Sequence, residues 1–451
     1  MYFNSAEFLL FFGIVFIFSR FRPIAAYVLL VASLIFYIFA DWLDFVLFLV
    51  VASANWAFAY RVANSRLWLG SAIAINVAVL AFFKYRSLML FGTDTPAFSF
   101  AGIAIPLGIS FYIFQKIAYL IDIYRGEAVV IRSLPRFGLF AAFFPQLIAG
   151  PIVRAWELLP QVNRIFRGKI KRPRLLSFGL GMILLGLFKK IVLADSLAPY
   201  VEDIFIAPND DALRAWVGVW LFAFQLYFDF SGYCDIAIGA ARLLGVRLPI
   251  NFRTPYLSRD PREFWQRWHI TLSTWIRDYL YIPLGGSRSG NQIVRITVLV
   301  FVMSVAGLWH GANLTFVVWG ALWGTYIAVA RLSPVPLSNF GVAAWPLHMG
   351  IVLVLWVFFR SPDMAVAVNY VGIMFAQGAV GAVTSIGLMA VIGCALLMVL
   401  HVLENHLLAP SSLALLRRFD GPLVWGLSVG LSFWLVLLPR YSANPFIYFR
   451  F

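Results

Sequence analysis

Charge is what this sequence has least of. Only 12% of its 451 residues are Asp, Glu, Lys or Arg, about half the roughly 25% usual in soluble domains. The shortage falls mostly on one sign, with 20 acidic against 35 basic side chains and a net charge of +15. A chain that is 62% hydrophobic, with a mean hydropathy of +0.87, cannot present a soluble surface over this length. The composition therefore predicts an all-α polytopic membrane protein. Linkers are also missing. No polar tract, Gly/Ser stretch or charge block divides the chain and no short period or inverted repeat recurs, so residues 1–451 read as one transmembrane domain. The two cysteines, Cys234 and Cys394, lie in apolar stretches and form no zinc pattern; they read as small buried hydrophobes. Gly-x-Gly-x-x-Gly, P-loop and His-Glu-x-x-His motifs are absent. Gly426-Leu-Ser-Val-Gly430 matches Gly-x-Ser-x-Gly, but it lies inside an apolar run where the strand-to-helix turn of a nucleophile elbow has no place. No cleavable signal is expected either. Residues 8–18 have no basic residue before them and no Ala-x-Ala after them. Arg20 and Arg22 follow instead, which puts the N-terminus outside.

A membrane span needs about 20 apolar residues, and candidate runs are abundant. They cover residues 24–40, 45–60, 67–83, 103–121, 175–194, 213–244, 293–330, 346–359, 384–403 and 422–438. With residues 8–18 they predict about eleven transmembrane helices. The 44 Phe, 16 Trp and 18 Tyr suit a lipid-facing surface with aromatic belts. Basic residues sit in short loops, which points to an anionic leaflet or an anionic cytoplasmic ligand as partner, and not to nucleic acid. Arg154, Arg164, Arg167, Lys169, Lys171, Arg172 and Arg174 face one acid, Glu157, and place that loop in the cytoplasm. Glu202, Asp203, Asp210 and Asp211 place the next loop outside, and the basic stretch 242–295 returns inside. Residues 137–153 break the alternation, because Arg125, Arg132 and Arg136 precede them and the basic loop follows. Pro145, Gly150 and Pro151 interrupt helical hydrogen bonding there. A re-entrant element buried in protein or lining a wet cavity is the expected resolution, with both ends cytoplasmic. Beyond Arg360 the charges leave the topology open.

Among five histidines, His310 stands out. It lies near the middle of 293–330, and an ionisable residue at bilayer depth is a functional-site hypothesis by default. On a continuous helix Ala306, Gly307, Asn313 and Leu314 would share its face. Small neighbours would leave room for a partner chain or a narrow tunnel, and Asn313 would offer a hydrogen bond. A neutral histidine bonded to a carbonyl at a helix crossing is the bland alternative. His269 lies in the mixed basic and aromatic stretch 258–277, expected to be an interfacial or re-entrant helix with Trp265, Trp268 and Trp275 at headgroup level. There it reads equally as a surface residue or a catalytic one. Glu263 and Arg267 form an i,i+4 pair, and Arg262, Arg267 and Arg277 would hold an anionic donor or anionic lipid. Asp229 and Asp235, six residues apart, cannot share one helix face; salt bridges to Arg242 or the next segment are the plainer reading. His348, His401 and His406 read as structural. With no carboxylate pair or Cys/His cage, no metal site is expected and His310 is the best general base available.

Five strings carry a resemblance. Phe144-Pro-Gln-Leu-Ile-Ala-Gly-Pro151, Phe230-Ser-Gly-Tyr-Cys-Asp-Ile-Ala237, Pro255-Tyr-Leu-Ser-Arg-Asp-Pro-Arg-Glu-Phe-Trp-Gln-Arg-Trp-His269, Leu308-Trp-His-Gly-Ala-Asn313 and Pro445-Phe-Ile-Tyr-Phe-Arg-Phe451 resemble the membrane-bound O-acyltransferase family over nearly the whole chain. The nearest pattern is its bacterial branch, typified by the membrane subunit of alginate O-acetylation. Tyr281-Ile-Pro-Leu-Gly-Gly286 and the aromatic tail favour that branch over the sister branch that moves D-alanine to teichoic acids. Cys234 replaces a more usual serine. The resemblance implies a ring of helices around a thin centre pierced by a tunnel, with the Trp-His-Gly histidine at His310 and the Arg-Trp-His histidine at His269. It further implies no permanently bound cofactor, acetyl-coenzyme A or another thioester as cytoplasmic donor, and a polysaccharide acceptor. An extracytoplasmic esterase-like partner protein and a bacterial inner-membrane location complete the expectation. His310 would then be the general base, with His269 or Asn313 orienting it or donating to the oxyanion. A transporter with broken helices is the rival reading. The polysaccharide, the acetylated hydroxyl and the oligomeric state are not legible.

Overall fold

The computed structural model describes the chain except residues 40, 90–104, 149, 171–175, 207–210, 287–288, 336, 377–384, 408–419, 438–445 and 447–451. Lys171, Arg172 and Arg174 of the basic loop, Asp210, residues 377–380, and the aromatic tail apart from Phe446 therefore lie outside the described residues. Among the described residues all regular structure is helical. Within the described residues six helices are long and apolar enough to cross a membrane: Trp42–Val62, Arg66–Tyr85, Leu176–Phe205, Gln292–His310, Leu314–Leu332 and Asn339–Arg360. Five shorter apolar helices accompany them, Ala6–Phe18, Ala25–Ile38, Met364–Phe375, Val391–His406 and Pro422–Val436. The chain is an all-α polytopic membrane protein. Its surface agrees: in helix Ala6–Phe18, Phe8, Phe12 and Val15 are buried while Leu10, Ile14 and Ile17 are exposed, an apolar outer stripe that water would not tolerate but lipid does. Gly426-Leu-Ser-Val-Gly430 lies within helix Pro422–Val436, so no nucleophile elbow forms there.

Contacts divide the chain into two compact units. The first comprises residues 1–186, 233–249 and 420–449; the second comprises residues 187–232, 250–419 and 450–451.

In the first unit the segment expected to be interrupted is a broken helix. Helix Leu134–Ala142 stops at Phe143, whose ψ of 105° leaves the helical region, and a short turn Phe144–Leu147 follows. Pro145 explains the break, because its ring would clash with the carbonyl four residues back and it has no N–H to offer. Three side chains attend the carbonyls so released. Gln115 Nε2 donates to Phe140 O at 3.1 Å and Gln146 Nε2 donates to the same oxygen at 3.2 Å. Lys116 Nζ donates to Ala141 O at 3.4 Å, the acceptor that Pro145 cannot reach. Phe144 N–H, having lost its helical partner, donates to Ser33 Oγ at 3.2 Å. Lys116 and Gln115 come from helix Ile109–Tyr124, which begins after Gly108. Gly108 has φ +71° and lies so close to the broken segment that a Cβ would sit 2.9 Å from Leu147 O, so only glycine fits without strain. A cavity of about 10 Å³, room for about one water, lies against Tyr112, Gln115 and Gln146.

In the second unit two features depart from the sequence reading. The run 293–330 is two helices, Gln292–His310 and Leu314–Leu332. At 1.5 Å per residue a single helix there would be roughly 57 Å long, against a hydrocarbon core of about 30 Å. Gly311 is extended and Asn313 Oδ1 caps the second helix by accepting Thr315 N–H at 3.0 Å. The pair is antiparallel: a Cβ on Gly307 would land on Phe316 O, one on Gly320 on Met303 O, and one on Gly324 would lie 2.7 Å from Val300 Cα. Gly320 and Gly324 make the small-xxx-small face that lets membrane helices approach closely. The stretch 258–277 is also not one helix. Helix Pro261–Arg267 and helix Ile270–Ile276 are separated by Trp268 and His269.

Candidate functional site

The break at Trp268–His269 is held from outside by residues 250–254. Arg253 N–H donates to Arg267 O at 2.8 Å, and Ile270 N–H donates to Asn251 O at 2.9 Å. Helix Pro261–Arg267 is started by Pro261 at its first position and by Asp260, whose Oδ1 accepts Arg262 N–H and Glu263 N–H at 2.8 and 2.9 Å. His269 itself has φ 42°, one of two described non-glycine residues with positive φ. Such strain persists only where the surroundings over-determine it, and it clusters at functional sites.

His269 is not a surface residue. It is 1% exposed, with Phe230 edge-on at 4.8 Å between ring centroids and Trp309 at 6.4 Å. Burial pulls its pKa down to about 3, so the imidazole is neutral near pH 7. Its Nδ1 lies 3.2 Å from Asn251 Oδ1. The neighbouring tryptophans also depart from the headgroup expectation. Trp268 and Trp275 are buried; Trp268 lies 5.0 Å from Trp356, and Trp265 lies 5.2 Å from Trp323. They bind the broken helix to the hairpin and to helix Ala344–Arg360, where aromatic bulk replaces a regular backbone ladder.

His310 is the last residue of helix Gln292–His310 and is 8% exposed. It does not sit in mid-helix, and the face read for it survives only on its N-terminal side, at Ala306 and Gly307. Trp309, Phe359, Trp319 and Phe316 surround its ring at 4.8, 4.9, 5.3 and 6.1 Å. Trp309 is thus flanked by both histidines. Asn313 is brought less close in function than in sequence: its Oδ1 caps the next helix, and its Nδ2 donates to Pro362 O. Of the arginines, Arg267 pairs with Glu263 at 2.7 Å, the i,i+4 bridge legible in the sequence, and Arg277 pairs with Asp278 at 2.7 Å. Arg262 is exposed.

A second buried cluster was not foreseen. Asp229 lies on a helix, Ala212–Leu243, that runs unbroken through Gly232. Its partner is not Arg242 but Lys190, whose Nζ lies 2.6 Å from Asp229 Oδ1 and 2.8 Å from Asp195 Oδ1. Lys189 pairs with Glu404 at 2.5 Å, and Tyr227 OH donates to that carboxylate at 2.9 Å. The two lysines lie on a π-helical turn, Phe188–Ala194, and both are buried. His401 Nε2 accepts Tyr256 N–H at 3.3 Å, and His348 bonds to Ser258 and Tyr326 at 3.0 and 2.8 Å. These histidines anchor the strap leading to the broken helix. Asn251 was missed as well; a lone amide in the apolar stretch Leu248–Phe252 was the available signal.

Helices of membrane length, with two buried histidines gathered around one tryptophan in an aromatic shell, make a candidate site for proton transfer in a membrane protein. The family model for membrane-bound O-acyltransferases matches residues 124–360, a range that holds both histidines. A probable alginate O-acetylase of Pseudomonas syringae pv. tomato is 40% identical over 372 residues, covering 78% of this chain and 70% of that one. A peptidoglycan O-acetyltransferase of Helicobacter pylori is 38% identical, covering 76% and 72%. A teichoic acid D-alanyltransferase of Streptococcus thermophilus is 30% identical, covering 49% and 56%. This chain belongs to the membrane-bound O-acyltransferase family and is an acyltransferase, which sets aside the transporter reading.

Proposed function

We propose that this enzyme moves acetyl groups from a cytoplasmic thioester, acetyl-coenzyme A in the first instance, to hydroxyls of an extracytoplasmic polysaccharide, acting as one catalytic domain in a bacterial inner membrane. The observation that carries the reading is His310, buried at the end of a membrane-length helix inside the matched family segment. The acetylase relatives share over three quarters of this chain and the D-alanyl relative about half, which supports acetyl over D-alanyl transfer. In the reaction the acceptor oxygen attacks the thioester carbonyl while His310 takes its proton; the C–S bond breaks and the thiolate leaves to be protonated. General-base assistance of this kind is worth about 10²–10⁴-fold. His269, which packs on the same Trp309 as His310 does, is the second histidine. Asn313, committed as a helix cap, supports the His310 turn. Arg262 is the most available of the three arginines to meet an anionic donor, since Arg267 and Arg277 have acidic partners. The acceptor is polymer directly, or a serine on an extracytoplasmic esterase-like partner that completes the transfer.

His310→Ala tests the reading. The variant is expected at normal levels in the membrane with ester in the polymer reduced at least 100-fold. Wild-type ester content from a well-folded variant would remove His310 as base and leave it a core histidine.

A further inference from the structure

We propose that Asn251 is a positioning residue that fixes His269 as its Nδ1-protonated tautomer, so that Nε2 meets the reaction as an acceptor. The proposal rests on the reading of His269 as part of the transfer site.

The argument begins with a hydrogen-bond census at one oxygen. Asn251 is 0% exposed. Its Oδ1 lies 3.1 Å from Thr271 N, 2.8 Å from Thr271 Oγ1 and 3.2 Å from His269 Nδ1. A backbone N–H can only donate, so the amide atom facing Thr271 N must be the oxygen, which settles the orientation of the amide. An amide oxygen can only accept, so Nδ1 of His269 must carry a proton. In a neutral imidazole the lone pair is then on Nε2. Burial holds the ring neutral, and Phe230, Phe252 and Trp309, which lie against it, carry no titratable function.

The backbone completes the clamp. Asn251 O accepts Ile270 N–H at 2.9 Å, so one residue holds both the ring of His269 and the peptide just after its positive φ. Side chain and main chain of Asn251 therefore act on the same histidine from a strap eighteen positions earlier in the sequence. The consequence is chemical. A neutral His269 of this tautomer cannot donate from Nε2 to an oxyanion; it accepts a hydrogen bond from a hydroxyl, a thiol or a protonated partner. Ligand-orienting partners of this kind typically cost 10–100-fold when removed from histidine sites at metals, and a similar loss is expected here.

Purified full-length enzyme, acetyl-coenzyme A and a soluble uronate oligomer, with thiol release as readout, provide the test. Asn251→Ala is expected to lower kcat 10–100-fold with the donor KM changed less than threefold. Asn251→Asp keeps the acceptor and adds a negative charge that favours imidazolium. It should retain activity at high pH, with the acidic limb of the pH–rate profile moved up by one unit or more. An Asn251→Asp profile superimposable on wild type overturns the proposal, as does an Asn251→Ala loss that matches only the loss of folded protein. Full activity in His269→Gln would instead overturn the reading of His269 on which the proposal rests, so the two failures are separable.

Discussion

Among the described residues, the broken helix in the first unit and the one at Trp268–His269 in the second are repaired differently. In the first unit the break at Phe143 has a covalent cause, Pro145, and the freed groups are met by side chains: Gln115 and Gln146 at Phe140 O, Lys116 at Ala141 O, Ser33 at Phe144 N–H. In the second unit no proline forces the break at Trp268–His269; Pro261 starts its helix and interrupts nothing. The repair is largely by backbone, from residues 250–254, and it leaves a histidine at φ 42°. A break with a local cause, whose released backbone groups are met by neighbouring side chains, is architecture, since unpaired backbone is costly inside a membrane protein. A break without a local cause, which strains a titratable residue and buries it, is a candidate for chemistry.

His269→Gln should separate the two breaks most sharply. Glutamine keeps the volume and a hydrogen bond to Asn251 but has no basic nitrogen, so transfer should fall about 10²–10⁴-fold, the span of general acid–base effects. A second readout follows from the buried ring. His269 is held at about 3, against about 6.5 in an unfolded chain. Between those values the unfolded state binds the extra proton, so this contribution to stability is complete above pH 6.5 and is lost as the pH falls towards 3. The variant should melt with a shallower dependence on pH between 6.5 and 4. Retained activity together with an unchanged melting profile would place His269 among the structural histidines.

The sequence made one break legible and hid the other. Pro145, Gly150 and Pro151 announce an interruption in plain chemistry, although which side chains meet the released carbonyls depends on a helix about 25 residues earlier. Nothing local announces a positive φ at His269. Its strain is imposed by residues 250–254 and by the packing of Trp268 on Trp356, 88 positions away. The hairpin was half legible: 38 apolar residues exceed one span, and Gly311 and Asn313 are breaking and capping residues, but the Trp-His-Gly string read naturally as a helix interior. His310 itself was found because an ionisable residue in an apolar run is conspicuous without any knowledge of its neighbours. Lys189 and Lys190 are inconspicuous for the opposite reason. They sit at the edge of an apolar run, where lysines ordinarily snorkel, and their partners Asp229 and Glu404 are remote in sequence.

Substitution at the first break should act on stability alone. Lys116→Met keeps the length of the side chain and removes the donor to Ala141 O, a buried acceptor that Pro145 cannot serve. A buried polar group left unmade costs about 1–3 kcal/mol, offset in part because methionine avoids burying an ammonium group. Detergent-solubilised protein should melt several degrees lower while the rate per folded molecule stays within twofold of wild type. A large fall in rate at unchanged melting temperature would give Lys116 a part in the chemistry and blur the distinction between the two breaks.

The smallest effect is expected at Ser33. Its hydroxyl donates to Leu29 O at 2.7 Å and accepts Phe144 N–H at 3.2 Å, so it joins helix Ala25–Ile38 to the turn after the break. Ser33→Ala leaves Leu29 O with its own helical ladder but strips Phe144 N–H of the acceptor seen here. The bond is long and uncharged, which puts the loss near the lower end of about 1–3 kcal/mol. Ser33→Cys restores a weak acceptor of similar size and should recover part of the loss. Melting temperatures ordered wild type, Ser33→Cys, Ser33→Ala, with equal rates per folded molecule, would mark the first break as repaired architecture down to a single hydroxyl. A fall in rate in Ser33→Ala comparable to that of His269→Gln would mean that the turn after Phe143 belongs to the reacting site, and the contrast drawn between the two breaks would fail.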